Sequence, residues 1–235
     1  GETYKMAYNA TSTIAALKTV LNRLLGLPAK YLTEEKREQW KIMLNRIPPI
    51  SYPNMNGYTT ISPALHWERV NNTESMQLYT VFPWGIHGVG KPGYDTALNT
   101  YKHDTDAIKF RNHIGWKQDN IFAARLGLTE DAAALTIAKL KNSGRRFPAF
   151  WGPGYDWTPD HNWGGSGMTG LQEMLMQTDE KKIMLFPAWP KEWDVHFKLH
   201  APYNTTVEAV YKKGKLESLV VIPDERRNDV KILMQ

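Results

Sequence analysis

The feature of this sequence that most constrains its fold is a change of hydrophobic period near residue 182. Before that point apolar residues recur every three or four positions, as along 10–25, which predicts amphipathic helices. After it they alternate, as along 195–199, which predicts strands. Helices first and strands last favour an all-α layer with an appended β-domain. We therefore predict a helical region over 1–181 and a small antiparallel, β-sandwich-like domain over 182–235.

Capping and turn residues locate several element ends. Thr33 precedes two glutamates and is a predicted N-cap, because its hydroxyl can accept from the first turn. Asp104 is expected to open a long helical zone, and a further helix is predicted over 167–178. The pair Lys213-Gly214 separates two alternating segments and predicts a hairpin turn.

Composition excludes several classes of protein. Of 235 residues, 42% are hydrophobic and 23% charged, which is typical of a globular domain. No apolar run approaches the ~20 residues of a bilayer-crossing helix, so no membrane insertion is expected. The net charge is +5, but lysines and arginines are scattered, and the densest pairs are Arg145-Arg146 and Arg226-Arg227. Nucleic acid is therefore not an expected partner and stays a third alternative. No cysteine is present to form a disulfide or ligate a metal.

The aromatic content points to a ligand. The chain has nine Trp, eleven Tyr and seven Phe, and many of them stand beside Gly, Pro, Asn or His in segments without period. Core tryptophans are more common in periodic segments, and we interpret Trp40 and Trp116 as core residues. Aromatic rings in loops favour a recognition surface on which sugar rings stack. An oligosaccharide or polysaccharide is thus the predicted partner.

Segment 150–167 carries the densest set of reactive side chains. Hydrolysis of a glycosidic bond needs a proton donor on the leaving oxygen and a base or nucleophile across the sugar ring. Asp160 is the candidate base, and His161 or Asn162 would help it to position water. Asp, Asn and Gly before a helix also serve as ordinary caps and turns, and that alternative remains open.

The same segment suggests an apolar platform and argues against a metal. Trp157 and Trp163 are the candidate stacking residues. His161, Asp160 and Asp156 carry possible metal ligands, but no histidine pair has zinc-site spacing, so neither metal nor cofactor is predicted.

A second cluster lies earlier in the chain. Glu74 stands between a polar pair and an apolar stretch and is a candidate catalytic acid, whereas Glu68 is more simply a solvated charge. His66 and Trp67 are candidate substrate-binding residues. Trp84 is another, in a glycine-rich loop that lacks the Lys-Ser/Thr of a phosphate-binding loop.

Two neighbouring motifs resemble a known family. Segment 160–165 reads Asp-His-Asn-Trp-Gly-Gly and segment 170–178 reads Gly-Leu-Gln-Glu-Met-Leu-Met-Gln-Thr. They resemble the closing motif of the glycoside hydrolase family 95 catalytic domain, which reads roughly Asp-Gly-Asn-Phe-Gly-Gly and then Gly-Ile-x-Glu-Met-Leu-Leu-Gln-Ser. Segments 78–83, 115–127 and 185–193 resemble further family motifs in the same order. The family includes inverting α-L-fucosidases and α-galactosidases.

The resemblance implies a fold and a role for one residue. It implies a mainly α chain forming part of a six-hairpin (α/α)6 toroid, followed by the β-domain. It also implies that Asp160 matches the carboxylate that helps to activate the attacking water. Segment 72–77 departs from the family's His-Arg-His-Leu-Ser-His, so a different sugar subsite is expected and fucose is not supported.

The resemblance also implies an incomplete cleft. The family's general-acid Glu and water-holding Asn residues lie upstream of any segment that aligns here. We therefore expect this chain to be the C-terminal portion of a glycoside hydrolase, inactive when isolated and periplasmic or secreted by its substrate class. The alternative is a non-catalytic carbohydrate-binding domain.

Overall fold

The computed structural model of the chain describes residues 3–142 and 161–234. The chain divides into two compact units, Gly1–Arg111 and Asn112–Gln235. Position 181, at which the sequence predicts a domain boundary, lies inside the second unit. Helices and strands of the C-terminal half therefore belong to one unit.

The first unit combines short helices with two-stranded pairs. Its helices are α1 (Thr11–Leu25), α2 (Glu34–Asn45), α3 (Tyr94–His103) and α4 (Thr105–Phe110), and its strands are β1 (Tyr4–Lys5), β2 (Asn54–Met55), β3 (Tyr58–Thr59) and β4 (Arg69–Val70). Antiparallel pairs form between β1 and β4 and between β2 and β3. The predicted cap of α2 is confirmed, because the Thr33 hydroxyl accepts from the Lys36 N–H. The predicted long helical zone after Asp104 is wrong, because α4 ends at Phe110 and a loop follows.

Among its described residues, the second unit has three helices before its strands. They are α5 (Asp119–Arg125), α6 (Thr129–Leu140) and α7 (His161–Leu175), and the strands are β5 (Met176–Asp179), β6 (Lys182–Leu185), β7 (Val195–Ala201), β8 (Thr205–Lys212), β9 (Lys215–Ile222) and β10 (Val230–Ile232). The three helices pack against one another. α5 buries nearly its whole length, including the large apolar side chains of Ile121 and Phe122.

The strands form two small sheets. β7, β8 and β9 make an antiparallel meander, in which alternate residues of β8 from Thr205 to Tyr211 are buried. The predicted turn at Lys213-Gly214 is confirmed, since both residues have positive φ, as a two-residue hairpin turn requires. The second sheet has the order β10-β6-β5, and β10 runs parallel to β6. The C-terminal strands are therefore not wholly antiparallel, whereas the sequence predicts an antiparallel β-domain.

The predicted mainly α, partial (α/α)6-toroid fold is wrong. The described residues are 43% helical and 21% strand, an α+β mixture with several small separate sheets. A toroid needs long helices in successive antiparallel pairs, whereas α4 has six residues and α5 has seven. Between α2 and α3 the chain forms loops, short strands and a 3-10 turn instead of a helical hairpin. Periodicity detects helices, but neither their length nor their spatial order.

The start of α7 also differs from the expectation. The sequence predicts a helix from Gly167, but α7 begins at His161. Gly164 and Gly165, which precede the predicted start, therefore lie inside the helix together with Gly167. Helix packing explains two of its glycines. A Cβ on Gly167 would lie 2.6 Å from a methyl of Leu140, and one on Gly170 would lie 2.0 Å from Asn120 Nδ2. These glycines therefore allow close helix contact and do not break the helix.

None of the helices within 3–142 and 161–234 has both the length and the apolar character needed to cross a bilayer.

Candidate functional site

A loop and the start of a helix meet in the second unit. The loop spans 112–118 and leads into α5. The ring of His113 lies edge-on to that of Trp163 on the first turn of α7, with centroids 6.1 Å apart and planes at 84°. We call residues 112–118 and 161–163 together the loop–helix site.

A buried lysine holds the loop in place. Lys139 is fully buried on α6, and its Nζ donates to the carbonyl oxygens of His113 and Gly115, each at 2.8 Å. Its own carbonyl accepts from the indole N–H of Trp163. The ammonium also lies 5.6 Å from the centroid of that indole, within the range of a cation–π contact. One residue of α6 thus ties down both the loop and the first turn of α7.

Local hydrogen bonds shape the loop further. Asp119 Oδ2 accepts from the N–H of Asn112 at 3.2 Å, and Asn112 Oδ1 accepts from the N–H of Ile114 at 2.9 Å. Deeper in the unit, Asn120 Nδ2 donates to the carbonyl of Ser166 at 2.9 Å. The loop conformation is therefore fixed by side chains on α5 as well as on α6.

The loop presents two partly exposed rings. Burial, and then the positive charges of Lys139 and Lys141, lower the pKa of His113. Its imidazole is consequently neutral near pH 7 and carries one donor and one acceptor nitrogen. Trp116 is partly buried, and the Lys117 ammonium lies 5.2 Å from its ring centroid.

The two polar candidates at the start of α7 are accessible. His161 and Asn162 are both exposed on the first turn, and the Asn162 carbonyl accepts from Ser166 Oγ at 2.6 Å. First-turn N–H groups of a helix lack intrahelical acceptors and favour negatively charged groups. The candidates Asp160 and Trp157 lie outside the described residues.

Trp163 occupies a different environment from the one the sequence suggests. Only 6% of its surface is exposed, and its ring contacts His113 and Lys139. A sugar ring needs an open aromatic face, so in this conformation the indole supports the site and does not stack on a ligand.

In the first unit, Glu74 sits in a hydrogen-bonded pocket. Its two carboxylate oxygens accept from Thr3 Oγ1 at 3.1 Å and from Tyr79 Oη at 3.3 Å. Its backbone N–H donates to the same threonine hydroxyl at 3.3 Å. The side chain is half-buried, and both oxygens already serve as acceptors.

His66 and Trp67 are exposed near the N-terminal strand. The carbonyl of His66 accepts from the N–H of Tyr8 at 2.8 Å. The indole of Trp67 packs edge-on against Tyr4, with ring centroids 5.5 Å apart and planes at 75°. Glu68 pairs with Arg69 at the surface, which agrees with its prediction as a solvated charge.

Trp84 lies in a loop organised by a buried histidine. The backbone N–H of Trp84 donates to the carbonyl of Tyr79 at 3.2 Å. Trp84 thus contacts the backbone of this tyrosine, whereas Glu74 accepts from its hydroxyl. His87 Nδ1 donates to the carbonyl of Pro92 at 3.0 Å, and its Nε2 lies 3.4 Å from Tyr52 Oη. Burial lowers the pKa of His87. The glycine-rich loop is therefore held by a neutral imidazole.

Sequence reasoning missed the residues that organise both regions. Lys139 had a detectable signal, because it shares the buried face of α6 with Ala132 and Thr136, and a cation at such a position requires buried acceptors. His87 and His113 had none, since their burial depends on residues distant in sequence.

No group of three or more carboxylate or imidazole side chains within the described ranges could hold a metal ion. No family model matches this chain, and no curated protein matches it.

Proposed function

We propose that this chain is the C-terminal portion of a glycoside hydrolase that cleaves oligo- or polysaccharides by acid/base-assisted attack of water. One observation carries the proposal: the Lys139-anchored loop lies beside the first turn of α7, the turn that directly follows Asp160 in sequence. The rest of the support comes from the resemblance of segments 160–165 and 170–178 to the glycosidase motif.

The side chains of the loop–helix site suit an inverting hydrolysis. Asp160 would take a proton from water as the water attacks the anomeric carbon. Neutral His113 and the exposed His161 and Asn162 can donate to or accept from sugar hydroxyls or that water. Trp116 offers a partly open ring for the apolar face of a sugar.

Glu74 fits a general acid less well. A proton donor needs one oxygen free to carry the proton to the leaving group. Both oxygens of Glu74 already accept from the hydroxyls of Thr3 and Tyr79, so a proton on either oxygen would share that oxygen with one of these bonds. We therefore propose that Glu74 orients the substrate or its own loop, and that the acid comes from elsewhere in the full-length protein.

The test compares Asp160→Asn with Asp131→Asn in the full-length protein. Asp131 is the control, a first-turn residue of α6 outside the loop–helix site. Release of reducing ends from a panel of galactosyl, fucosyl and xylosyl oligosaccharides gives kcat and KM. Loss of a catalytic base lowers kcat by roughly 10²-fold or more, with KM little changed.

Two results would count against the hydrolase. Retention of kcat in Asp160→Asn would remove Asp160 from the reaction. Binding of the oligosaccharides without turnover by the unaltered protein would favour the non-catalytic carbohydrate-binding alternative.

A further inference from the structure

A groove lies in the second unit, away from the loop–helix site. Its volume is about 580 Å³, within the range of small-molecule sites. One wall is the exposed side of α6, and the other is segment 186–193, which follows β6. Its described lining includes no residue of 112–118 or of α7.

The aromatic wall of this groove is rigid. Trp189 is buried, and its indole N–H donates to the carbonyl of Trp193 at 2.9 Å. The two indoles meet edge-on, with centroids 5.3 Å apart and planes at 85°. The backbone N–H of Trp193 donates to the carbonyl of Pro190 at 3.1 Å and so closes the turn. Trp193 itself stays partly exposed, so one ring is presented to the groove at little conformational cost.

Residues of the β7–β8–β9 sheet also hold the turn at 190–193 in place. Tyr211 is fully buried in β8, and its hydroxyl donates to the carbonyl of Lys191 at 3.1 Å. Phe186 packs against that tyrosine, with centroids 5.2 Å apart. The sheet therefore holds the backbone that carries Trp193, and the side chain of Lys191 remains exposed.

The facing wall, on α6, consists of small side chains, and the rim of the groove is polar. Ala133 and Ala134 leave open space along α6, and Ile137 is 53% exposed beside them. Glu130 and Glu192 are exposed at the rim. Carboxylates accept from pairs of hydroxyls, while an aromatic face covers C–H groups, and a sugar ring offers both surfaces.

We infer that this groove, the Trp193 groove, binds a neutral saccharide unit as a site separate from the loop–helix site. The ring of Trp193 covers the apolar face of the sugar, and Glu130 and Glu192 accept from its hydroxyls. The inference depends on the groove's own residues and not on the hydrolase activity.

The test uses the full-length protein labelled with 5-fluorotryptophan. Fluorine spectra are recorded with lactose, cellobiose, xylobiose and 2′-fucosyllactose up to 10 mM, and Trp193→Phe identifies the resonance of Trp193. At least one sugar is expected to shift that resonance saturably. Glu192→Gln should weaken binding several-fold in the same titration, whereas Glu217→Gln on β9, an exposed control, should not change it. Trp193→Ala lacks the reporter ring, so isothermal titration calorimetry measures its binding, which should be at least ten-fold weaker.

A variant on the α6 wall tests the groove without altering the turn that carries Trp193. Ala134 is exposed, so Ala134→Trp should fold and block the groove, and sugar binding should be lost. Asp160→Asn should leave binding at Trp193 unchanged, which separates this inference from the hydrolase proposal. If no sugar of the panel moves the Trp193 resonance, the saccharide assignment is overturned.

Discussion

The Nζ of Lys139 lies 2.8 Å from the carbonyl oxygen of His113, although the lysine belongs to α6 and the histidine to the loop before α5. A buried ammonium group is costly unless polar groups surround it, and the loop carbonyls supply that environment. The cation and the loop conformation therefore depend on each other.

Removing this cation should destabilise the protein. In Lys139→Met the carbonyl oxygens of His113 and Gly115 lose their donor while remaining in the interior. We expect the free energy of unfolding to fall by about 2–4 kcal/mol. Urea denaturation measures the change. Lys141→Met removes an exposed lysine nearby and should change stability by no more than about 0.5 kcal/mol.

Two glycines of α7 should respond oppositely to alanine. A Cβ on Gly170 would lie 2.0 Å from Asn120 Nδ2, so Gly170→Ala should destabilise the protein by about 1–3 kcal/mol. Nothing lies within 4 Å of a Cβ on Gly165, so Gly165→Ala should stabilise it by about 0.5–1 kcal/mol through helix propensity. Thermal unfolding of both variants checks the pair. Equal effects would show that α5 and α7 do not pack this closely.

Features set by local chemistry were predictable from the sequence. The cap at Thr33 needs only a hydroxyl three residues before a free N–H. The turn at Lys213-Gly214 needs only two residues that tolerate positive φ between alternating segments. In both cases the residues that decide the structure are neighbours in the chain.

Features set by packing were not predictable. The sequence favours Trp40 of α2 as a core residue, yet its side chain is only partly buried and no residue of the helix is fully buried. The sequence predicts a helix only from Gly167, yet Gly164 and Gly165 also lie inside α7. The candidate site shows the same limit: His161 and Asn162 are readable as polar groups, whereas Lys139 becomes important only once α6 is folded.

Two histidines should make stability fall in acid. Burial lowers the pKa of His87 and of His113 in the folded chain, so each takes up a proton more readily when unfolded, where its pKa is near 6.5. The unfolded state then binds more protons, and stability declines as pH falls below about 6.5. Each histidine contributes at most about 1.4 kcal/mol per pH unit.

The measurement is the free energy of unfolding between pH 8 and pH 5.5. His87→Gln and His113→Gln should each flatten the profile, and the double variant should flatten it most. His66→Gln, which replaces an exposed histidine, is the matched control. An unchanged slope in the double variant would contradict the assignment.

Asp104 should stabilise the first unit through two hydrogen bonds that its carboxylate accepts. Its Oδ1 accepts from the Ala107 N–H at 2.8 Å, which caps α4, and from Gln77 Nε2 at 2.7 Å. Both contacts are buried, so Asp104→Ala removes a cap and leaves an amide unpaired, at a cost of about 2–3 kcal/mol. Asp95 lies exposed in the first turn of α3, and Asp95→Ala should cost only about 0.3–1 kcal/mol. Chemical denaturation distinguishes the two, and equal losses would mean that the buried contacts add nothing to the helix-dipole effect.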